Sequence, residues 1–270
     1  MVAAALVATL IGASTESVEA AIAQRGTATT GTSQGASQTI NKPAGVVAGD
    51  VMIVNIAKYY NDNTAPTLSG WTKIDSKTLG GSRYGAVLYR VADGTESTSF
   101  TFTIASSYIS GSSASSAIVA FSGVDTVNGP FDVANTTIVT ANNSSTATAT
   151  SKTTVTTNSA IIMFGMAVGT IPTATWSTWT SPAGLTELYD NQITGTGEGT
   201  SIGAAWATKL IPGATGSGYA TLSSKEYNGG LLVALKPRAT PSITGITANQ
   251  TITYGTISIT LTGKVQTSGF

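Results

Sequence analysis

Gly49-Asp50-Val51-Met52-Ile53-Val54-Asn55-Ile56-Ala57 is an apolar run rich in β-branched residues, entered through a Gly-Asp turn. A strand buried in a sheet interior reads this way. A second such run follows about a hundred residues later, at Asn158-Ser159-Ala160-Ile161-Ile162-Met163-Phe164-Gly165-Met166. What comes after each run also matches in order. Gly70-Trp71-Thr72-Lys73-Ile74-Asp75 answers to Gly184-Leu185-Thr186-Glu187-Leu188-Tyr189. Tyr84–Tyr89 answers to Ile202–Ala207, and Ser116–Phe121 to Gly229–Ala234. The match is one of pattern, since few residues are identical. One four-strand unit leaves a bare hydrophobic face; two of them bury it between them. The expected fold is therefore all-β: a jelly-roll-like β-sandwich of two pseudo-repeated four-strand units.

The chain has 270 residues, of which 41% are hydrophobic and only 10% charged. An ordinary soluble domain carries roughly 25% charge. Ser, Thr, Asn and Gly supply the polarity instead, as in extracellular β-rich surface proteins. The 13 basic and 13 acidic residues are scattered singly, so neither a nucleic-acid patch nor an acidic tail is present. Cysteine and histidine are absent. That excludes disulfides, thiolate metal sites and any Ser-His-Asp triad.

Three segments follow from the chain order. Residues 1–23 combine an apolar stretch, Val2–Ala13, with an Ala21-Ile22-Ala23 cleavage pattern. This reads as a signal peptide without its basic start, or as an apolar N-terminal segment that is kept. The stretch is too short for a membrane span of about 20 residues. Residues 24–237 form the sandwich, with Gly123–Asn158 as a connection carrying one or two alternating strands, such as Thr146–Thr156. Residues 238–270 are a linker and a short C-terminal β extension. Ile243, Ile246, Ile252, Tyr254, Ile257, Ile259 and Leu261 punctuate its strands. It is too short for an independent sheet domain.

Several blocks resemble a β-sandwich module of bacterial secreted and surface proteins, seen also in phage-associated proteins. They are INKPAGVVAGDVMIVNIA (40–57), LSGWTKIDS (68–76), YGAVLYRVADGTESTSFTFT (84–103), SSAIVAFSGVD (115–125) and GPFD (129–132). The tail ITANQTITYGTISITLTGKV (246–265) is similar to the start of an immunoglobulin-like repeat of large Bacteroidetes-type surface proteins. The resemblance implies an extracellular, non-catalytic role in stalks, adhesins or carbohydrate-contacting units. It transfers no catalytic or binding residue.

The candidate chemistry is sparse. Glycosidases need two carboxylates about 5–9.5 Å apart. Asp75, Asp93 and Glu96 lie near turns, and Asp125 and Asp132 flank one loop, but no motif joins them; the chain is read as no enzyme. Asp62, within Asn61-Asp62-Asn63, and Asp125 with Asp132 offer hard oxygen ligands for a structural calcium ion, without EF-hand spacing. No other cofactor is expected. Tyr59, Tyr60, Trp176 and Trp179 are read in or beside loops, where aromatic rings stack on sugars. Trp176 and Trp179 stand three apart and would face opposite ways in a regular strand. Trp71 and Trp206 fall inside strand blocks and are expected in the core. Sequons at Asn135, Asn142, Asn143 and Asn249 are read as incidental.

The functional expectation is a secreted structural or adhesive module of a surface fibre or tandem array. Its partners are neighbouring copies or tandem modules, paired through an extended segment, Ile243–Val265. The alternative is a carbohydrate-binding module whose partners are cell-surface glycans. Neither nucleic acid nor a transmembrane span enters either reading.

Overall fold

The structure is a computed structural model that describes residues 20–60, 62, 64–106, 110–169, 174–180, 184–194, 197–239, 242–244 and 264–266. Among the described residues there is no helix. The first half contains β1 (Ala23–Gln24), β2 (Thr29–Ser33), β3 (Ser37–Asn41), β4 (Val51–Tyr59), β5 (Thr72–Gly80), β6 (Arg83–Val91), β7 (Ser99–Thr103) and β8 (Ser113–Ser122). The second contains β9 (Val139–Ala149), β10 (Thr153–Thr154), β11 (Ser159–Gly169), β12 (Trp176–Thr180), β13 (Thr186–Ile193), β14 (Gly199–Lys209), β15 (Gly213–Ala214) and β16 (Gly218–Leu235). After them come β17 (Ser242–Thr244) and β18 (Lys264–Gln266), paired antiparallel with Ile243 opposite Val265.

The protein is an all-β sandwich of two antiparallel sheets, and each sheet is drawn from one half of the chain. The first runs β8-β4-β6-β5, with β1 and β2 also on β8; the second runs β16-β11-β14-β13, with β9 and β12 also on β16. Side chains alternate along a strand, so each central strand serves two faces. Val51, Ile53 and Ala57 of β4 meet Ile162, Phe164 and Met166 of β11 between the sheets. Met52, Val54 and Ile56 point outward, under a cover in which β3 and β7 place Ile40, Phe100 and Phe102. Ile161, Met163 and Ala167 point outward on the other side, beneath Trp176, Trp179, Ala220 and Leu222. Three apolar layers result. Both central strands are buried on both faces, which is why their sequences show no polar alternation.

The repeat reaches further than four strands. The pairings β2–β8, β3–β7, β4–β8, β4–β6 and β5–β6 have the counterparts β9–β16, β10–β15, β11–β16, β11–β14 and β13–β14. Seven strands thus repeat with the same partners, and β12 is an insertion peculiar to the second half. The expected connection at Gly123–Asn158 carries β9, which begins earlier than Thr146, and β10. Even the irregularities repeat: the register of β5 on β6 shifts between Lys73 and Asp75, and that of β13 on β14 between Glu187 and Tyr189.

The registers correct two of the sequence alignments by one residue. One row across the first sheet is Thr72, Tyr89, Ile53, Val119. The matching row of the second is Thr186, Trp206, Ile162, Val233. Tyr89 therefore corresponds to Trp206 rather than Ala207, and Val119 to Val233 rather than Leu232. A slip of one residue turns a strand over, and apolar residues on both faces hide that slip in the sequence. Trp206 packs against the central core, edge-on to Phe121 at 5.3 Å, and Trp71 lies edge-on to Phe100 and Phe102 in the outer layer, as expected for both.

Each half also clips the other. Lys77 of β5 donates from Nζ to the Ile138 carbonyl at 3.0 Å, and the Ile138 N–H donates to Asp75 at 2.6 Å. On the opposite side Asn191 of β13 donates to the carbonyls of Gly31 and Ser116. Between the sheets the buried Asn55 donates to the carbonyls of Gly165 (2.9 Å) and Gly203 (3.3 Å). Burial pushes the Tyr189 hydroxyl up from its ordinary range, opposed by its interaction with Asn55.

The folded unit extends beyond the expected boundaries of 24 and 237. Ala20 donates from its backbone to the Arg238 carbonyl at 2.8 Å, and Ile22 is 5% exposed within the central core. The chain therefore enters and leaves the sandwich side by side.

Two stability experiments test this packing. Ile22→Ala lowers the unfolding free energy by about 2–5 kcal/mol in denaturant titration, as for any core residue. A Cβ added at Gly203 would stand 2.7 Å from the rings of both Trp176 and Trp179, whereas Gly184 faces open space. Gly203→Ala therefore costs about 1–3 kcal/mol, and Gly184→Ala stays within about 0.5 kcal/mol of wild type.

Candidate functional site

The expected aromatic platform is absent from the surface. Trp176 and Trp179 are 4% and 5% exposed and stack on each other at 5.5 Å with 23° between their planes. This corrects both the loop placement and the opposite facing. The register of β12 on β16 breaks between Ser177 and Thr180, and Thr178 adopts φ 52°, a left-handed conformation rare for a β-branched residue. The irregularity turns both indoles onto the sheet. There Trp176 donates from Nε1 to Ser201 (2.8 Å) and Trp179 to Glu187 (2.9 Å). Tyr60 is also buried, its hydroxyl donating to the Gly35 carbonyl. Tyr59 ends β4, half-buried against the central core.

The three aspartates read as calcium ligands are committed to protein donors in separate places. Asp62 accepts from Lys58 Nζ at 2.6 Å and from the Ser106 N–H. Asp125 accepts from the backbones of Val127 and Asn128, the Asn128 amide and Lys236. Burial pushes its carboxyl up, but these hydrogen bonds and the Lys236 charge outweigh burial and hold it at about 2. Asp132 accepts from the backbones of Val155 and Thr156 and from the Thr156 hydroxyl. Among the described residues no three carboxylates converge on a metal position. Of the tail residues, Ile243 lies in β17; Ile246, Ile252, Tyr254, Ile257, Ile259 and Leu261 lie outside the described residues, as do Asn61 and Asn63.

A further polar cluster lies at one end of the sandwich, where β4, β6, β11, β14 and β16 meet. The guanidinium of Arg83 (β6) lies over the ring of Tyr227 (β16) at 3.9 Å and 5.9 Å from that of Tyr59. Arg83 pairs with the buried carboxylate of Glu198. Glu198 Oε2 and Arg83 Nε are buried and have no hydrogen-bond partner among the described residues. Beside this pair is a cleft of about 230 Å³ lined by Arg83, Asn142, Asn143, Gly169, Lys225, Glu226 and Tyr227. Glu226 is 8% exposed and accepts from the Ser224 hydroxyl at 2.8 Å. Its carboxylate occupies the space that a side chain at Gly169 would take. Asn142, Asn143 and Lys225 are exposed at the rim. The register between β9 and β16 shifts on both sides of Glu226, and Asn143 adopts φ 51°. Bulges of this kind re-aim side chains.

Two lysines are buried apart from the cleft. Lys58 is flanked by the rings of Tyr60 and Tyr84, each 5.6 Å away, and burial lowers its pKa against the opposing pull of Asp62. Lys152 is 3% exposed and donates to the Ala134 carbonyl at 2.6 Å. Burial brings it down to about 8.

Sequence reasoning did not find the cleft. The signal was available in Lys225-Glu226-Tyr227, a charged cluster interrupting a long uncharged strand in a chain poor in charge. No family model, curated protein or solved structure matches the chain.

The buried Lys152 yields a pH test. Its folded pKa lies below the ordinary 10.5, so the unfolded chain holds the extra proton between about pH 8 and 10.5 and stability rises with pH there. The penalty is present in full below about pH 8, fades as pH rises past the folded pKa, and is gone above the ordinary 10.5, where the unfolded lysine has also lost its proton. Against Lys152→Met, wild type gains about 3 kcal/mol between pH 8 and 10.5 in denaturant titrations.

Proposed function

We propose that this chain is a non-catalytic, extracellular structural and adhesive β-sandwich protein, a module or subunit of a surface fibre or tandem array joined by β-strand addition. One observation carries the reading: the outer strands β5 and β13 are guarded against a further strand, and a strand pair lies outside both main sheets. The outer strands β5 and β13 are each bulged and clipped to the opposite half. Bulges and charged edge residues such as Lys73 and Lys77 oppose pairing with another chain. The pair β17–β18 belongs to neither main sheet. Contacts between copies are then left to that segment, through backbone hydrogen bonds. The low charge supports a location outside the cell. No helix among the described residues is long and apolar enough to cross a membrane.

A second reading, a carbohydrate-binding module of a secreted protein, is favoured by the cleft beside Arg83. Buried Glu226 and exposed Asn142 and Asn143 bring a carboxylate and two amides to one concavity. Such groups bind hydroxyls.

Assembly is tested on the full chain by size-exclusion chromatography and negative-stain electron microscopy. Wild type forms ordered oligomers or filaments. Ile243→Pro with Val265→Pro removes two backbone donors and gives monomers with the same sandwich stability. A wild-type chain that stays monomeric at all concentrations sinks the strand-addition reading.

A further inference from the structure

The duplication provides an internal control on what this fold requires. At the end of the sandwich one register row is Ser113, Tyr59, Arg83, and the matching row of the other sheet is Tyr227, Val168, Thr200. Arg83 thus corresponds to Thr200, Tyr227 to Ser113 and Glu226 to Ser112. In the mirrored position the contacts between sheets are made by small hydroxyls. Ser113 donates to the Glu198 carbonyl at 2.6 Å, and Ser115 and Thr200 share a hydrogen bond of 2.9 Å. Serine and threonine are enough to close that side of the row. Arginine, tyrosine and a buried glutamate on the other side of the same end are therefore not demanded by the architecture.

These large polar residues surround a cleft, and Glu226 takes part in neither the contact of Arg83 with the Tyr227 ring nor the ion pair of Arg83 with Glu198. Arg83 is neutralised by Glu198. Glu226 is buried, yet among the described residues no cation pairs with it; its one resolved hydrogen bond comes from Ser224. The remaining acceptor capacity of Glu226 faces the cleft, where a ligand hydroxyl can take the place of water. Around it the lining offers an ammonium donor from Lys225 and donors and acceptors from two amides. The formal charges cancel, Arg83 with Glu198 and Lys225 with Glu226. A ligand for this cleft is therefore uncharged and dense in hydroxyls, and the volume of about 230 Å³ holds a single ring.

We propose that the cleft between Asn142–Asn143 and Lys225–Tyr227 binds one uncharged sugar residue, with Glu226 accepting from its hydroxyls. The proposal rests on the carbohydrate-binding reading and adds the site and the ligand class to it; it is independent of the assembly of copies.

Saturation-transfer difference NMR on the full chain tests it, using methyl glycosides of glucose, galactose and mannose, with glucuronate as the acidic probe. At least one neutral glycoside binds and glucuronate binds at least tenfold more weakly. Glu226→Gln keeps the shape and the Ser224 bond and weakens binding at least tenfold. Asn143→Gly, which keeps the left-handed backbone, weakens it as well and guards against a folding effect in the first variant. Ser112→Ala, at the mirrored position, leaves binding unchanged. Sugar binding that survives both cleft variants overturns the site and spares the carbohydrate reading. Glucuronate bound as well as the neutral probes overturns the ligand class. No binding of any probe overturns the proposal and removes the observation favouring that reading.

Discussion

The structure depends on keeping both faces of β4 and β11 out of water. A sheet central to a sandwich needs only one dry face, but here the outward residues Met52, Val54, Ile56, Ile161 and Met163 are as apolar as the inward ones. Each of these side chains fully buried is worth about 1.5–3 kcal/mol. The chain therefore has to cover each sheet a second time. It does so with β3 and β7 on one side, and with β12, β9 and the first part of β16 on the other. The small residues Gly165 and Gly203 follow from the same demand, because the rings of Trp176 lie directly on that backbone.

Duplication solves the central layer and symmetry organises its closure. The two halves meet by equivalent surfaces, as two copies do across a dimer axis. Edge strands then lie over the outer strands of the opposite half, where Lys77 and Asn191 supply matching clips. Asn55 departs from this equivalence. Its counterpart in the register is Phe164, and it reaches across to carbonyls of the other sheet. The aromatic cover of β12 and the polar end around Arg83 are the other departures. A repeat folds in both versions, so departures from it mark what only one half has to do.

How far the sequence could be read follows from range. The apolar runs, the Gly-Asp turns and the order of blocks are local or periodic, and they carried the all-β class, the doubled sandwich and the core positions of Trp71 and Trp206. Register is not local. Apolar residues on both faces of β8 and β14 left a one-residue slip undetectable there. Trp176 and Trp179 were misplaced because an interrupted strand looks like a loop, and because the left-handed turn at Thr178 reverses the facing that regular alternation implies. For Asp125 and Asp132 the sequence shows a carboxylate in a loop but not the backbone donors that bind it.

By itself the sequence determined the class of fold, its internal repetition and the exclusion of histidine and thiol chemistry, since these rest on composition and on spacings along the chain. Only the tertiary structure decided the registers of the strands, that Ile22 lies in the core, and that Arg83, Glu198 and Glu226 gather at one end. Arg83 stands 115 positions before Glu198 in the chain. They are neighbours because two sheets pack face to face, and no local preference of the chain encodes which of their ends will meet.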